Sequence, residues 1–278
     1  MEYYEPNFLD EALVLLDRFG SEARILAGGT RLAFRLRHEG HRAAALVNLK
    51  RIGELGGVEL DADALRVGAL CTAAQLQRHP LVRQYAPLLA AAASTMGAAQ
   101  LQTVATLGGN VASGDPASDL SVALLAHGAS CRIAALEDVS APVPIEQVLA
   151  RQRPVLAPRE LLTAVDIPLR RCHCSYQKMT TRHGFEMALV AVALALRMDG
   201  EVVGEARIGL AGVAPSPIRA TSAEALLEGR ALTASVARDA ARLAASSDAR
   251  PQSDARASAD YRRALVATLV ERAVLNAS

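Results

Sequence analysis

Apolar residues recur at helical spacing near the start of the chain. Ala12, Leu13, Leu16 and Phe19 share one face, which predicts a helix over Leu9–Phe19, stopped by Gly20. Asn7 stands where a cap is needed, with Asp10 as a weak capping-box partner. The short apolar run 25–27 reads as a buried strand leading into Gly28-Gly29-Thr30. Residues 31–39 read as a helix closed by Gly40, and 43–49 as a second strand. This βαβ-like alternation sets off a first small lobe, residues 1–57.

Beyond Gly56-Gly57 the pattern changes period. Runs 58–60 and 65–69, split by Asp61-Ala-Asp63, predict a hairpin. Thr72 caps a helix through Gln77, and 80–96 is helical with a break at Pro87. Residues 120–127 are helical, 131–136 a strand, and Pro142 and Pro144 belong to a connection before 145–149. Residues 161–167 alternate as a strand does, and Pro168 ends it. The polar stretch 170–174 places a boundary between residues 1–171 (lobes 1–57 and 58–171) and 172–278. In the second part, strands 175–181 and 205–213, an apolar run 187–197 and a turn at Asp199-Gly200 precede helices 222–227, 233–245 and 258–275. Strands followed by helices predict an α+β fold, here a three-stranded sheet backed by a helical cluster. The Ser-, Asp- and Arg-rich stretch 246–258 reads as a mobile loop.

Composition narrows the function. The chain has 278 residues, about half hydrophobic, and a formal net charge of +1. That balance gives no electrostatic case for nucleic acid or an anionic membrane. The first residues are acidic and lack an apolar core segment, and no apolar run approaches the ~20 residues of a membrane span, so a cytoplasmic location is expected. Cys71, Cys131, Cys172 and Cys174 form no C-x-x-C pair, and Cys172-His173-Cys174 cannot complete a four-ligand zinc site. Reduced thiols and no metal site in this chain are expected. His183 and the other histidines have no visible carboxylate or serine partner, so no catalytic acid or base is assigned.

The candidate chemistry lies in two short segments. In 103–119 an apolar run breaks at Gly108-Gly109, flanked by Thr106 and Asn110, and ends in Asp119. A smaller copy runs Ile25-Leu-Ala-Gly-Gly-Thr30. Adjacent glycines allow close backbone approach, and their N–H groups can converge on an anion. Two such segments suggest two halves closing on one diphosphate. An ordinary turn remains the other reading of each, and neither has Rossmann spacing or a Walker lysine. Asp119 offers a carboxylate to sugar-like hydroxyls or, alternatively, caps the helix after it. Lys178 is one of only two lysines, the other being Lys50, in an arginine-rich chain.

The order of motifs carries a resemblance over essentially the whole chain. Tyr3-Tyr-Glu-Pro6, Ala27-Gly-Gly-Thr30, Thr106-Leu-Gly-Gly-Asn110 and Asp115-Pro-Ala-Ser-Asp119 come first. Glu160-Leu-Leu-Thr163, Tyr176-Gln-Lys-Met-Thr-Thr-Arg182, Gly212-Val-Ala-Pro-Ser-Pro217 and Ala223-Glu-Ala-Leu-Leu227 follow. The chain resembles the FAD-binding medium subunit of molybdenum hydroxylases, the group of carbon monoxide and xanthine dehydrogenases. The resemblance implies a two-subdomain FAD-binding fold of the vanillyl-alcohol-oxidase/p-cresol-methylhydroxylase type plus the small C-terminal domain. It implies non-covalent FAD here, with [2Fe–2S] clusters in a small partner subunit and molybdopterin in a large one, as a dimer of heterotrimers. Electrons would pass from iron–sulfur centres through FAD to an external acceptor.

By the same resemblance, Gly28, Gly29 and Thr30 would hold one side of the pyrophosphate, with Leu26 and Ala27 as wall. Gly108 and Gly109 would hold the other side by backbone donors, helped by Thr106 and Asn110. Asp119 would bond ribityl or ribose hydroxyls. Lys178 would stabilise the reduced ring, and Leu162 would pack near it. Arg31 stands where the family commonly has Asp, Asn or Ser, and reaches either a phosphate or water. The arginine common before the second segment is replaced by Gln100-Leu-Gln-Thr, and the Cys-bearing insertion that would announce a further [4Fe–4S] cluster is missing. The alternatives are a stand-alone FAD-dependent reductase of the same fold class and an FAD-free assembly scaffold.

Overall fold

The computed structural model describes residues 1–277 apart from 39, 41, 137, 140, 152–154 and 183–185, so the expected helix end at Glu39, and His183, lie outside the described residues. The chain opens with β1 (Glu2–Tyr4), α1 (Leu9–Phe19), β2 (Ala23–Leu26), α2 (Thr30–His38) and β3 (Ala45–Asn48). The three strands form a parallel sheet in the order β1-β3-β2. Ala12, Leu13 and Leu16 of α1 pack on Ala23 and Val47 of that sheet and on Ile52 and Leu55. The start of α1 differs from expectation. Phe8 is the N-cap residue and makes no side-chain cap. Glu11 instead accepts from the Asn7 N–H at 2.9 Å, and Glu54 from the Leu9 N–H at 3.0 Å. Long carboxylate arms reach back to donors that the short Asn7 and Asp10 side chains leave unmet.

The middle of the chain supplies β4 (Val58–Leu60), β5 (Ala64–Gly68), α3 (Ala73–Arg78), α4 (Pro80–Tyr85), α5 (Pro87–Thr95), α6 (Ala99–Gln102), α7 (Leu107–Ala112), α8 (Asp119–His127), β6 (Ser130–Ala135), β7 (Asp138–Val139), β8 (Val143–Pro144), α9 (Ile145–Ala150) and β9 (Leu161–Pro168). Thr72 and Gln75 form a reciprocal capping box at α3. The strands make an antiparallel sheet ordered β4-β5-β9-β6-β7, with β8 against β6. Every residue of α8 is buried, which its near-continuous apolar sequence permits.

The remainder forms β10 (His173–Met179), β11 (Val190–Asp199), β12 (Val202–Ala211), β13 (Ile218–Arg219), α10 (Thr221–Leu227), α11 (Ala234–Leu243) and α12 (Ala259–Ala277). The antiparallel sheet runs β10-β11-β12-β13, so a two-residue strand extends the expected three. Strand alternation on β11 sorts side chains by size. Ala191, Ala193 and Ala195 join the core around α5 and α8, whereas Val192, Leu194 and Leu196 join the core around α10–α12. Small side chains on one face bring β10 and β11 close to α8. Stretch 246–258 is pinned rather than loose. A π-helical turn covers Ala244–Asp248, Arg250 donates to the Val213 carbonyl at 2.8 Å, Pro251 is buried, and Asp254 accepts from Arg262 at 2.9 Å. Its polar composition hides these long-range partners. No helix among the described residues is long and apolar enough to cross a membrane.

Candidate functional site

The first glycine segment is an opening. Strand β2 ends at Leu26, whose carbonyl accepts from Leu49, and Ala27 leads into the glycines. Gly29 has φ +75°, a conformation that costs a side-chain-bearing residue energy, and Thr30 begins α2. The Gly29 carbonyl accepts from Ala33 at 2.8 Å, starting the helical ladder. Upstream of that bond, the N–H groups of Gly28, Gly29, Thr30, Arg31 and Leu32 have no acceptor among the described residues. Five consecutive donors without an acceptor at the positive end of a helix are groups from which an oxyanion can accept.

The second segment is closed. Gly108 and Gly109 lie in the first turn of α7, not in a loop, because Thr106 caps that turn by accepting from Gly109 at 3.2 Å. Leu107 donates to Cys71 at 2.9 Å, Gly108 to Ala69 at 2.8 Å and Asn110 to Thr106 at 3.0 Å. The backbone donors expected of Gly108 and Gly109 are therefore engaged within the protein. Gly108 instead permits contact: a Cβ there would lie 2.7 Å from Ala69 Cβ and 3.0 Å from its carbonyl oxygen.

The two segments nevertheless meet. A Cβ on Gly28 would lie 2.0 Å from the Val104 carbonyl oxygen and 3.1 Å from Ala105 Cα. Arg31 bridges them further, with Nη1 3.4 Å from Asp115 Oδ2. Its Nε is buried without a hydrogen-bond partner. An unpartnered guanidinium N–H beside five open amides fits a ligand with several anionic oxygens, as a dinucleotide's diphosphate has.

Asp119 and Lys178 pair with one another. Lys178 Nζ donates to Asp119 Oδ2 at 2.8 Å and to the Thr95 carbonyl at 3.0 Å, with both side chains 6% exposed. The Tyr176 hydroxyl donates to Asp119 Oδ1 at 2.7 Å. Burial pushes the Asp119 carboxyl up, against the opposing pull of Lys178, and holds the Tyr176 hydroxyl well above its ordinary value. Ser118, not Asp119, caps α8, by accepting from the Ser121 N–H. Ser118 also donates to Asn110 Oδ1, and Asn110 Nδ2 reaches Met96 Sδ at 3.6 Å. Leu162 is a buried core residue of β9. Tyr176 is a site residue with no sequence-based assignment, and period-two alternation puts it on the same strand face as Lys178.

Comparison with known proteins shows the family. Residues 1–170 match the family described as the FAD-binding domain in molybdopterin dehydrogenase, and residues 175–277 the carbon monoxide dehydrogenase flavoprotein C-terminal domain. The carbon monoxide dehydrogenase medium chain of Hydrogenophaga pseudoflava is 31% identical, over 100% of this chain and 96% of that one. A putative xanthine dehydrogenase FAD-binding subunit of Escherichia coli K12 is 29% identical, over 99% of this chain and 95% of its own. A chain in the structure of the Hydrogenophaga carbon monoxide dehydrogenase superposes with a TM-score of 0.94 at 30% identity, covering 100% of this chain and 96% of that one. One in quinoline 2-oxidoreductase from Pseudomonas putida 86 gives 0.92 at 28% identity, covering 100% and 96%. The chain therefore belongs to the molybdenum hydroxylase flavoproteins, as the FAD-binding medium subunit of an oxidoreductase.

Proposed function

We propose that this chain relays electrons from the [2Fe–2S] centres of a small partner subunit to an external acceptor, beside a large molybdopterin subunit. The observation that carries the reading is the row of open N–H groups from Gly28 to Leu32, which begins against the backbone of Val104 and Ala105. The names of the relatives, as medium chain or FAD-binding subunit of dehydrogenases, support such an assembly, which we take to be a cytoplasmic dimer of heterotrimers. We take residues 1–171 as the FAD-binding part and 172–278 as the C-terminal part.

Bound FAD supplies the redox chemistry, while the protein binds, orients and tunes it. The amides of Gly28 to Leu32 receive the diphosphate oxygens, with Leu26 and Ala27 as wall. Arg31 Nε adds a charge-assisted bond, consistent with its buried and unpartnered position. Thr106, Gly108, Gly109 and Asn110 form the opposite wall, stiffened by their internal bonds. Asp119 and the Thr95 carbonyl fix the Lys178 ammonium, a cation that favours an electron-rich ring nearby. Asp119 has lone pairs beyond the two used by Tyr176 and Lys178, which a sugar hydroxyl can fill. Leu162 lends apolar packing.

Purification from the native host tests the assembly. Co-elution with an iron–sulfur chain and a much larger chain, with flavin absorbance near ~450 nm, is expected. Full activity of this chain alone would overturn the subunit reading, and a preparation that stays colourless in excess FAD would overturn the cofactor reading.

A further inference from the structure

The motif Gly212-Val-Ala-Pro-Ser-Pro217, directly after β12, opens at a crossing between the two parts of the chain. The Gly212 N–H donates to the Pro116 carbonyl at 2.7 Å, from the flavoprotein C-terminal match to the FAD-binding match. Pro116 lies in the turn 115–119. At one end of that turn Asp115 meets Arg31 at 3.4 Å, and at the other Asp119 meets Lys178 at 2.8 Å. The turn is tied internally: Asp115 Oδ1 accepts from Ala117 at 2.9 Å and the Asp115 carbonyl from Ser118 at 3.1 Å. A displacement at Pro116 is therefore felt at both carboxylates.

Gly212 is itself held from behind. Its φ is +78°, and a Cβ there would lie 2.2 Å from the Leu189 carbonyl oxygen. Arg262, in the first turn of α12, spans the two backbones that meet here. Its Nη1 donates to the Leu189 carbonyl at 2.5 Å and to the Gly212 carbonyl at 3.1 Å, while Nη2 donates to Asp254 Oδ2 at 2.9 Å. The Leu189 N–H in turn donates to the carbonyl of Met179, the neighbour of Lys178 on β10, at 2.8 Å. One guanidinium thus ties down both the strand end beside Lys178 and the glycine that holds the turn of Asp119.

The needs of α12 do not account for an arginine at this place. The side chain is 3% exposed, and a cation in the first turn stands at the positive end of the helix dipole. The two carbonyls and the carboxylate do account for it. A planar fork meets acceptors on two sides at once, whereas a lysine ammonium is a single point with no fork.

We propose that Arg262 is a positioning residue for the candidate site: acting through Gly212 and Leu189, it sets the turn 115–119 against the end of β10. Among the described residues its hydrogen bonds go to Leu189, Gly212 and Asp254, so its effect on the site is transmitted. That the arrangement serves FAD rests on the function proposed above.

The test compares the full-length chain with Arg262→Lys and with Leu269→Ala, a large-to-small change at a buried core residue about two turns further along α12. Two quantities are read: hydrogen exchange of the Gly212 amide in the apo chain, and the FAD dissociation constant by fluorescence titration. Arg262→Lys should speed Gly212 exchange and raise the dissociation constant, each about tenfold. Leu269→Ala should lower melting by at least as much, yet leave both quantities within about twofold. Asp254→Asn, at a side chain 43% exposed, loosens the same guanidinium and carries the test where Arg262→Lys fails to fold. It should speed Gly212 exchange about threefold. Unchanged Gly212 exchange in both Arg262→Lys and Asp254→Asn would overturn the proposal. So would losses in Leu269→Ala that match those of Arg262→Lys. A wild-type chain that binds no FAD would overturn the FAD reading instead, and the exchange comparison alone would then decide the role of Arg262.

Discussion

Two glycine pairs that look alike in the sequence do opposite things in the structure. Around Gly28-Gly29 five successive amides are left open among the described residues, and Arg31 has a buried N–H with no partner. Around Gly108-Gly109 four successive amides are closed, on Cys71, Ala69 and Thr106. The same closure extends through Asn110, Ser118, Asp119, Tyr176 and Lys178. One arm keeps its polar groups for a ligand, and the other uses them to stay rigid. Damage to the open arm should therefore cost affinity, and damage to the closed arm should cost stability.

The largest stability loss should come from the closed arm. Lys178→Met leaves the Asp119 carboxyl buried without its counter-charge, and breaking such a pair costs about 3–5 kcal/mol. The sign with pH follows from the raised position of Asp119. A carboxyl raised by folding is tolerated while protonated and penalised once ionised, so stability is lost as pH rises through its folded value. The deficit of Lys178→Met in urea unfolding should thus be greatest above neutral pH and shrink toward pH ~5. A deficit independent of pH would break the assignment.

Next comes Gly28→Ala, which drives a methyl into the Val104 carbonyl and prises the arms apart. Overpacking of about 2–3 kcal/mol, felt at the ligand, predicts a 30- to 150-fold rise in the FAD dissociation constant by fluorescence titration. Equal losses for Gly28→Ala and Gly109→Ala would erase the contrast between the arms. Thr106→Ala should cost about 1 kcal/mol of stability through the lost cap, with affinity little changed. The smallest effect belongs to Arg31→Gln. Its bridge to Asp115 is partly exposed and contributes little to folding, so melting should hold while FAD affinity falls roughly tenfold. An unchanged affinity would return Arg31 to the solvent.

Much of this was legible in the sequence, for local reasons. The Thr72 cap of α3 and the face of α1 are written in spacings of three and four residues. So is the strand end before Gly28. What failed was of two kinds. Thr106 stands three residues before Gly109, the spacing of a helix cap, but two glycines in a row read as a loop. Glu11 and Glu54 capping α1, and Asp254 anchoring 246–258, depend on which long side chain arrives, which spacing does not reveal. The pairing of Asp119 with Lys178 spans 59 positions and two elements, so each residue stood out alone while their meeting did not.

The amides that meet the ligand distinguish the open arm from the closed one. An amide-resolved TROSY titration of the apo chain with FAD reads them directly. The largest saturable downfield proton shifts are expected at Gly28, Gly29, Thr30, Arg31 and Leu32, with smaller ones at Leu107 to Asn110. Shifts concentrated at Leu107 to Asn110, with Gly28 to Leu32 unmoved, would contradict it.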